Sequence, residues 1–194
     1  MAAYWESVVQ ISTPDGKGSG VFISPTEVLT AAHVVAPTGP SFAVSDIRVI
    51  IRYRGEDAVI RALAVHPRWT NGARAGSDIA LLRVEPVADL GLGTQMNVPA
   101  PGASVMVSGI GFVAATDVVE QPAGTVLCES GTDGFNLLRS DDLAPTPGLS
   151  GGPLYTSTGG VVVVGLMTRI STTGLVGLPL LDVSLGRVRA LLPP

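Results

Sequence analysis

Short apolar runs that alternate with glycine- and proline-rich turns dominate this sequence. The turn at 13–18, for example, contains one proline, which presets φ, and two glycines, which accept positive φ. The chain has 24 Gly and 15 Pro, and they are scattered along it rather than clustered. Short strands separated by such turns are typical of a β-barrel or a β-sandwich. The pattern therefore predicts an all-β fold.

Strands are predicted at 7–12, 20–23, 47–53, 58–65, 79–84, 103–108, 125–129, 134–138, 161–168 and 175–178. A single helical turn is predicted at 30–35, and a short helix at 184–192, where apolar residues recur at helical spacing after Ser184 as a cap. The segment 86–101 is rich in Gly and Pro and has a poor strand pattern, so we interpret it as a connector between two halves. A chain of 194 residues is consistent with one compact domain.

Composition and charge argue against several classes of function. The formal net charge is −4 and Lys and Arg form no cluster, so no nucleic-acid partner is predicted. No apolar run approaches the roughly 20 residues that a membrane helix needs, so no membrane partner is predicted either. With two histidines and one cysteine, we expect neither a metal site nor an internal disulfide.

The N-terminal residues 1–6 lack the basic and apolar regions of a signal peptide. The single cysteine, Cys128, is in keeping with a reducing compartment. Together these features predict a cytoplasmic protein. A chain trimmed at its N-terminus would instead be secreted or periplasmic.

The segment 147–154, Pro-Gly-Leu-Ser-Gly-Gly-Pro-Leu, surrounds Ser150 with glycines. A nucleophilic serine needs a tight turn with small neighbours, and backbone amides aimed at the developing oxyanion. Glycines permit such a turn, and the amides of Gly148 and Ser150 are the candidates for the oxyanion hole. The structural alternative is a glycine-rich hairpin of an all-β protein.

Two further segments contain residues suited to activate such a serine. His33 follows Thr-Ala-Ala at 30–32, and imidazole is the side chain best suited to exchange a proton near neutral pH. Asp78 stands directly before the apolar run 79–82, where a partly buried carboxylate can accept a hydrogen bond from an imidazole and fix its tautomer. Taken singly, His33 also fits a buried structural histidine, and Asp78 fits a turn or cap residue.

Taken together, in the order His, Asp, Ser, these segments resemble the trypsin-like serine peptidases with the chymotrypsin fold. The matching segments are Thr-Ala-Ala-His at 30–33, Asp-Ile-Ala-Leu-Leu at 78–82 and Ser-Gly-Gly-Pro at 150–153. Gly-Ser-Gly-Val at 18–21 and Gly-Leu-Pro-Leu at 177–180 resemble the HtrA/Deg branch of that family. The resemblance runs across nearly the whole chain.

The resemblance implies two six-stranded antiparallel β-barrels of the chymotrypsin type, followed by a short C-terminal helix. We expect an N-terminal barrel at 1–88, a C-terminal barrel at 98–183 and the helix at 184–192. The catalytic triad would lie in the cleft between the barrels, with its serine contributed by the second, and it would require no cofactor. The second histidine, His66, is expected to be structural.

Leu149 departs from the family pattern. Secreted members carry Asp before the serine and HtrA members usually carry Asn, and the Asp pairs with a newly cut N-terminal amine to build the oxyanion hole. A leucine cannot make that ion pair, so activation by such cleavage is not expected. Three alternatives stay open: a preformed hole with Leu149 packed among apolar residues, a hole set by a partner, and a malformed hole.

The resemblance also indicates a pocket for the P1 residue, the one before the scissile bond. Ala144 aligns with its base, and Met167, Thr168, Arg169 and Ile170 align with its wall. No carboxylate stands at the base, so Arg or Lys at P1 is not expected. Met167 and Ile170 would make the pocket narrow and apolar, which predicts small or medium aliphatic P1 residues. Two alternatives are that Arg169 attracts an acidic P1 residue and that Asp141 or Asp142 reaches into the pocket.

The sequence therefore predicts a serine endopeptidase that cleaves a protein or peptide substrate through His33, Asp78 and Ser150. Two alternatives stay open. One is a latent effector domain of a larger intracellular assembly, which needs additional domains or an activating partner. The other is a catalytically inactive protein-binding module on the same fold.

Overall fold

The structure, a computed structural model, describes residues 4–38, 40–69, 77–90, 95–97, 99–116, 119–120, 123–130, 136–140, 146–156, 162–171, 174–179 and 182–193. The first strands are β1 (Val8–Thr13), β2 (Gly16–Ser24), β3 (Glu27–Thr30), β4 (Arg48–Ile51), β5 (Glu56–Ala58), β6 (Ile60–Val65) and β7 (Ala80–Val84). They are followed by β8 (Gln95–Met96), β9 (Ser104–Gly109), β10 (Gly111–Phe112), β11 (Val119–Glu120), β12 (Ala123–Ser130), β13 (Asn136–Ser140), β14 (Pro153–Thr156), β15 (Val162–Ser171) and β16 (Gly174–Pro179). The α-helices are α1 (Ala32–Val35) and α2 (Asp182–Arg189), and short 3-10 helices lie at Tyr4–Ser7 and Val44–Asp46.

The first sheet has the strand order β5-β4-β1-β2-β3-β7-β6, and its pairs are antiparallel. It has seven strands rather than six, because the chain turns back after β4 at Gly55, with φ +66°, and pairs again as β5. The β1–β2 hairpin closes with Thr13 opposite Gly16, so β2 begins earlier than the predicted position 20. Gly16 has φ +146°, a conformation that favours glycine.

Alternate side chains of the first sheet point into one apolar core. Val9 and Ile11 of β1, Phe22 of β2, Val49 of β4 and Leu82 of β7 are fully buried in it. This period of two is the one that a strand with a single buried face requires. Partly buried residues of β6, at the opposite end of the sheet from β4, pack against the same core. The sheet therefore curls around its own apolar interior.

The second sheet has the strand order β14-β9-β12-β13-β16-β15-β8. An additional pairing of β14 with β15 closes six of these strands into a ring, as a six-stranded barrel requires. Val107, Val126 and Leu154 are buried in its interior cluster. The seventh strand, β8, pairs parallel with β15 outside the ring and lies within the predicted connector 86–101. A strand of two residues is too short to show a sequence period.

A third apolar cluster joins the two sheets and the C-terminal helix. Leu29 and Leu81 on the outer face of the first sheet pack in one cluster with Leu166 of β15. Helix α2 adds Leu185 and Val188 to the same cluster. Apolar contacts of this kind have no preferred direction, and the free energy that they contribute grows with the apolar area removed from water.

Helix α2 is also held by an ion pair. The Arg189 guanidinium donates to both carboxylate oxygens of Glu27 on β3, at 2.9 and 2.7 Å. The helix begins and ends earlier than the predicted segment 184–192, although Leu192 still packs in the cluster between the sheets. In the part of the chain that the structure describes, no helix has the length and apolar character that crossing a membrane requires.

His66 lies in the link between β6 and β7 and is almost fully buried. Its amide donates to the Ile79 carbonyl at 3.0 Å, and its Nδ1 accepts the Arg68 amide at 3.2 Å. Burial lowers the pKa of His66 from 6.5, and the charges of Arg187 and Arg68 lower it further. The neutral imidazole is therefore the form that the fold favours.

We predict that the free energy of unfolding falls as the pH drops below about 6.5, the pKa expected for the unfolded state. Between this pH and the lower pKa of folded His66, the unfolded chain binds a proton at His66 that the folded chain does not bind. The free energy of unfolding therefore decreases as the pH falls through this range. His66→Asn keeps an acceptor for the Arg68 amide but does not titrate. Urea denaturation between about pH 5 and 7 should show a shallower decline for this variant than for the wild type. If the free energy of unfolding depended equally on pH in the two proteins, this role of His66 would be contradicted.

Candidate active site

His33 lies in the one-turn helix α1, directly after β3. Ala31 and Ala32 beside it are fully buried in the first core and anchor the turn. The His33 side chain itself is 31% exposed, so the ring reaches the surface. The sequence folds in this way because Ala31 and Ala32 are small and apolar and are buried in the core, whereas the larger, polar ring of His33 lies at its surface.

Asp78 stands just before β7, and its side chain is only 4% exposed. Its Oδ2 lies 2.8 Å from Nδ1 of His33, and its Oδ1 accepts the backbone amide of His33 at 2.9 Å. Both carboxylate oxygens thus bind one residue and fix the ring relative to its own backbone. Because an ionised carboxylate can only accept hydrogen bonds, Nδ1 is the nitrogen that donates to it, and in the neutral form of the ring Nε2 then has the lone pair.

Ser150 lies in the glycine-rich turn that precedes β14. It lines one cavity together with His33, Val34 and the tip of the β1–β2 hairpin, so the structure brings the serine and the histidine to the same place. The next residue, Gly151, has φ +84°, and a Cβ there would lie 2.2 Å from the carbonyl oxygen of Ser19. Only glycine fits this close approach of the turn to β2.

The carbonyl groups before Gly148 and before Ser150 are held by hydrogen bonds. The Pro147 oxygen accepts the Ala114 amide at 2.9 Å, and the Leu149 oxygen accepts an amide of the same turn at 2.9 Å. The peptide bonds are trans, so the amides of Gly148 and Ser150 point away from these carbonyl oxygens. Within the described residues neither amide has an acceptor, which leaves both to an incoming oxygen.

Ser19 of β2 connects the first sheet to this turn through both its backbone and its side chain. Its amide donates to the Ser150 carbonyl at 2.7 Å, and its hydroxyl donates to the Gly148 carbonyl at 2.8 Å. The same hydroxyl accepts the Phe112 amide at 2.8 Å. Ser19 is fully buried, and its own carbonyl accepts the Thr30 hydroxyl at 2.7 Å. These bonds fix the two carbonyls that flank Leu149.

Leu149 is fully buried and packs in the interior of the second barrel with Val107 and Met167. The backbone of Met167 holds the turn from the same side: its carbonyl accepts the Gly151 amide at 2.7 Å, and its amide donates to the Gly152 carbonyl at 2.8 Å. Leu149 is therefore packed among apolar residues, as the preformed-hole alternative expects.

The residues predicted for the substrate pocket are only partly described. Ala144 lies outside the described residues. Arg169 and Ile170 belong to β15 and pair with β16, and their side chains also lie outside the description. Met167 and Thr168 are buried, and the side chain of Met167 belongs to the interior of the second barrel. The pocket as a whole stays a prediction.

Comparison with known proteins identifies the family. The family described as trypsin-like peptidase domain matches residues 18–166, which is most of the chain. The chain belongs to the trypsin-like peptidase family. No curated protein sequence matches it.

Solved protease structures share the fold of this trypsin-like peptidase. The inactive form of Rv3671c from M. tuberculosis H37Rv, as a mutant, is 22% identical, with a TM-score of 0.67 over 98% of this chain and 90% of that chain. A Glu endopeptidase in complex with MPD is 16% identical, with a TM-score of 0.73 over 97% and 91%. The thermostable serine protease AL20 from an extremophilic microorganism is 16% identical, with a TM-score of 0.71 over 95% and 96%. These likenesses confirm the chymotrypsin-like fold, whereas the resemblance to the HtrA/Deg branch stays a prediction.

Sequence reasoning did not identify Ser19 and Ala114 as partners of the turn around Ser150. For Ser19 a signal exists in the glycines on either side of it. A Cβ at Gly18 would lie 2.7 Å from the Val34 side chain, and one at Gly20 would lie 3.0 Å from backbone. A polar residue between two glycines of an apolar strand therefore indicates close packing against another segment. Ala114 acts through its backbone amide, and no side-chain pattern could have revealed it.

We predict that Ser19→Ala lowers the free energy of unfolding of this trypsin-like peptidase. The substitution leaves two buried backbone groups, the Gly148 carbonyl and the Phe112 amide, without their partner, and each such group costs about 1–3 kcal/mol. Urea denaturation measures the loss. Ser45→Ala, at an exposed site, is the control and should leave the midpoint nearly unchanged. A wild-type midpoint for Ser19→Ala would show that the hydroxyl does not hold the turn.

Proposed function

We propose that the chain is a serine endopeptidase with His33, Asp78 and Ser150 as its catalytic triad. One observation supports the proposal most strongly: the His33 ring is bound at 2.8 Å by Asp78 and lines the same cavity as Ser150. An imidazole held through Nδ1 offers Nε2 as the base for a nearby hydroxyl. Acyl transfer is the chemistry that such a constellation supports.

Acylation uses each of these groups in turn. The Ser150 Oγ attacks the carbonyl carbon of the scissile peptide bond, and its proton passes to Nε2 of His33. Asp78 holds the ring and stabilises the imidazolium. The amides of Gly148 and Ser150 donate to the tetrahedral oxyanion. When the C–N bond breaks, His33 gives its proton to the leaving amine and the acyl-enzyme remains.

Deacylation repeats the same proton transfers with water in place of the amine. His33 takes a proton from the water, whose oxygen attacks the acyl carbon. The ester bond to Ser150 then breaks, and His33 returns the proton to the serine oxygen. The product acid leaves, and the site is restored to its starting state.

The oxyanion hole is proposed to be preformed. The Pro147 and Gly148 carbonyls are already bound, by the Ala114 amide and the Ser19 hydroxyl, before any substrate arrives. Donors that need not reorganise at the moment of reaction are the ones that stabilise an oxyanion most effectively. Packing of Leu149 in the barrel interior supports the same arrangement without an added charge.

We predict that Ser150→Ala abolishes hydrolysis of peptides by the purified chain. If the triad acts as a unit, the loss in kcat should be on the order of a million-fold. Ser45→Ala, an exposed serine outside the site, is the matched control and should keep wild-type turnover. Turnover that survives in a clean Ser150→Ala preparation would contradict the assignment. A folded wild-type chain that cleaves no peptide would favour the latent or inactive alternatives.

We predict that cleavage follows small or medium aliphatic residues. The positions aligned with the pocket, Ala144, Met167 and Ile170, are apolar, so a charged P1 side chain would lose water without gaining a partner. In peptides that differ only at P1, Ala, Val or Leu should exceed Arg or Lys by about tenfold or more in kcat/KM. A preference for Arg or Lys would contradict this pocket. A preference for Glu would instead favour Arg169 as the residue that contacts P1.

A further inference from the structure

A tight turn at 66–69 follows β6 directly. The Trp69 amide donates to the His66 carbonyl at 2.8 Å, which closes the turn. The second position of the turn is a proline, whose fixed φ suits that position. The Trp69 side chain then enters the core of the first sheet, where the residue is only 7% exposed. The turn therefore ends in the same core that α1 packs against.

This turn binds the residues on both sides of Asp78. The Ser77 hydroxyl donates to the Arg68 carbonyl at 3.1 Å, and the His66 amide donates to the Ile79 carbonyl at 3.0 Å. Ser77 and Ile79 are both fully buried. The chain is thus held to the turn directly before and directly after the Asp78 carboxylate.

The same turn also holds the end of α1. Ala36 caps this four-residue helix, three residues after His33, and its amide donates to the Ala32 carbonyl at 2.8 Å. The last carbonyl groups of a helix have no donor within the helix itself. The indole N–H of Trp69 supplies one, because it donates to the Ala36 carbonyl at 2.7 Å in a buried hydrogen bond. The turn therefore fixes the helix that carries His33.

We propose that Trp69 is a positioning residue, whose indole N–H sets where the His33 ring lies relative to Asp78. The turn binds the end of α1 and both neighbours of Asp78, so it keeps the two partners of the 2.8 Å contact at a fixed separation. Because the same ring must reach Ser150 to act as its base, this position also affects turnover. That second effect rests on the endopeptidase function proposed above.

Loss of the indole N–H should lower kcat rather than raise KM. A displacement of about 1 Å can cost about a hundredfold in rate, so we expect kcat to fall about tenfold to hundredfold. Trp69 lies in the core of the first sheet, so its loss removes no contact with bound substrate. KM should therefore stay within about twofold of the wild-type value.

The variant Trp69→Phe keeps an aromatic ring in the core and removes the N–H. Its kcat and KM are measured with a peptide substrate, well below the unfolding midpoint. Trp5→Phe makes the same change at the only other tryptophan, which is 38% exposed, and it should keep the wild-type values. An equal loss of kcat in both variants would contradict a specific role of Trp69.

Nuclear magnetic resonance tests the position of the ring independently of catalysis. In protein labelled with 15N at histidine, the Nδ1–H signal of His33 is the one that disappears in His33→Ala. Trp69→Phe should shift or broaden this signal and speed the exchange of its proton with water, because the contact with Asp78 is loosened. A merely structural role of Trp69 would lower the unfolding midpoint and leave both this signal and kcat unchanged.

A second variant covers the case in which Trp69→Phe does not fold. In Trp5→Phe, the remaining tryptophan is replaced during biosynthesis by its benzothienyl analogue, which has sulfur in place of the N–H and nearly the same size. A folded variant with wild-type kcat and an unchanged His33 signal would overturn the proposal. If the wild type cleaves no peptide, the endopeptidase proposal fails, and the His33 signal still decides the role of Trp69.

Discussion

The hydrogen bonds of Ser19 to the turn around Ser150 are the constraint on which the rest of the site depends. The apolar cluster between the sheets brings the two halves together, but a contact of that kind is non-directional. Hydrogen bonds of 2.7 and 2.8 Å, from the Ser19 amide and hydroxyl, set the position of the turn relative to β2. Because β3 and α1 follow β2 closely, the same constraint determines where His33 stands relative to the serine.

The turn that contains Leu149 and Ser150 is held in place without a buried charged side chain of its own. Burying an ion pair carries a desolvation penalty that its attraction does not always offset, whereas an apolar side chain in an apolar interior has no such cost. Leu149 is buried in the apolar interior, and the Pro147 and Gly148 carbonyls that precede it are bound by neutral donors, the Ala114 amide and the Ser19 hydroxyl. The geometry of the turn around Ser150 is thus set by apolar packing and by neutral hydrogen bonds of the fold itself.

Sequence reasoning predicted the all-β fold and the three residues of the proposed triad. His33 and Asp78 form a direct hydrogen bond, and His33 and Ser150 line one cavity. The same reasoning missed β3, because Val28 and Leu29 are buried on opposite faces and the strand shows no alternation. It missed β14, because that strand begins with a proline, which is uncommon inside a sheet. The role of Ser19 could not be predicted, because its hydroxyl binds a carbonyl 129 residues away and no local pattern reports such a contact.

We infer that the chain alone, without a partner, folds with an activated Ser150. The most direct test is intact-mass analysis of the purified protein after incubation with a fluorophosphonate, which reacts only with an activated serine. We expect one adduct for each chain, located at Ser150 by peptide mapping and absent from His33→Ala. A wild-type chain that is folded, as judged by its cooperative unfolding, yet forms no adduct would contradict it.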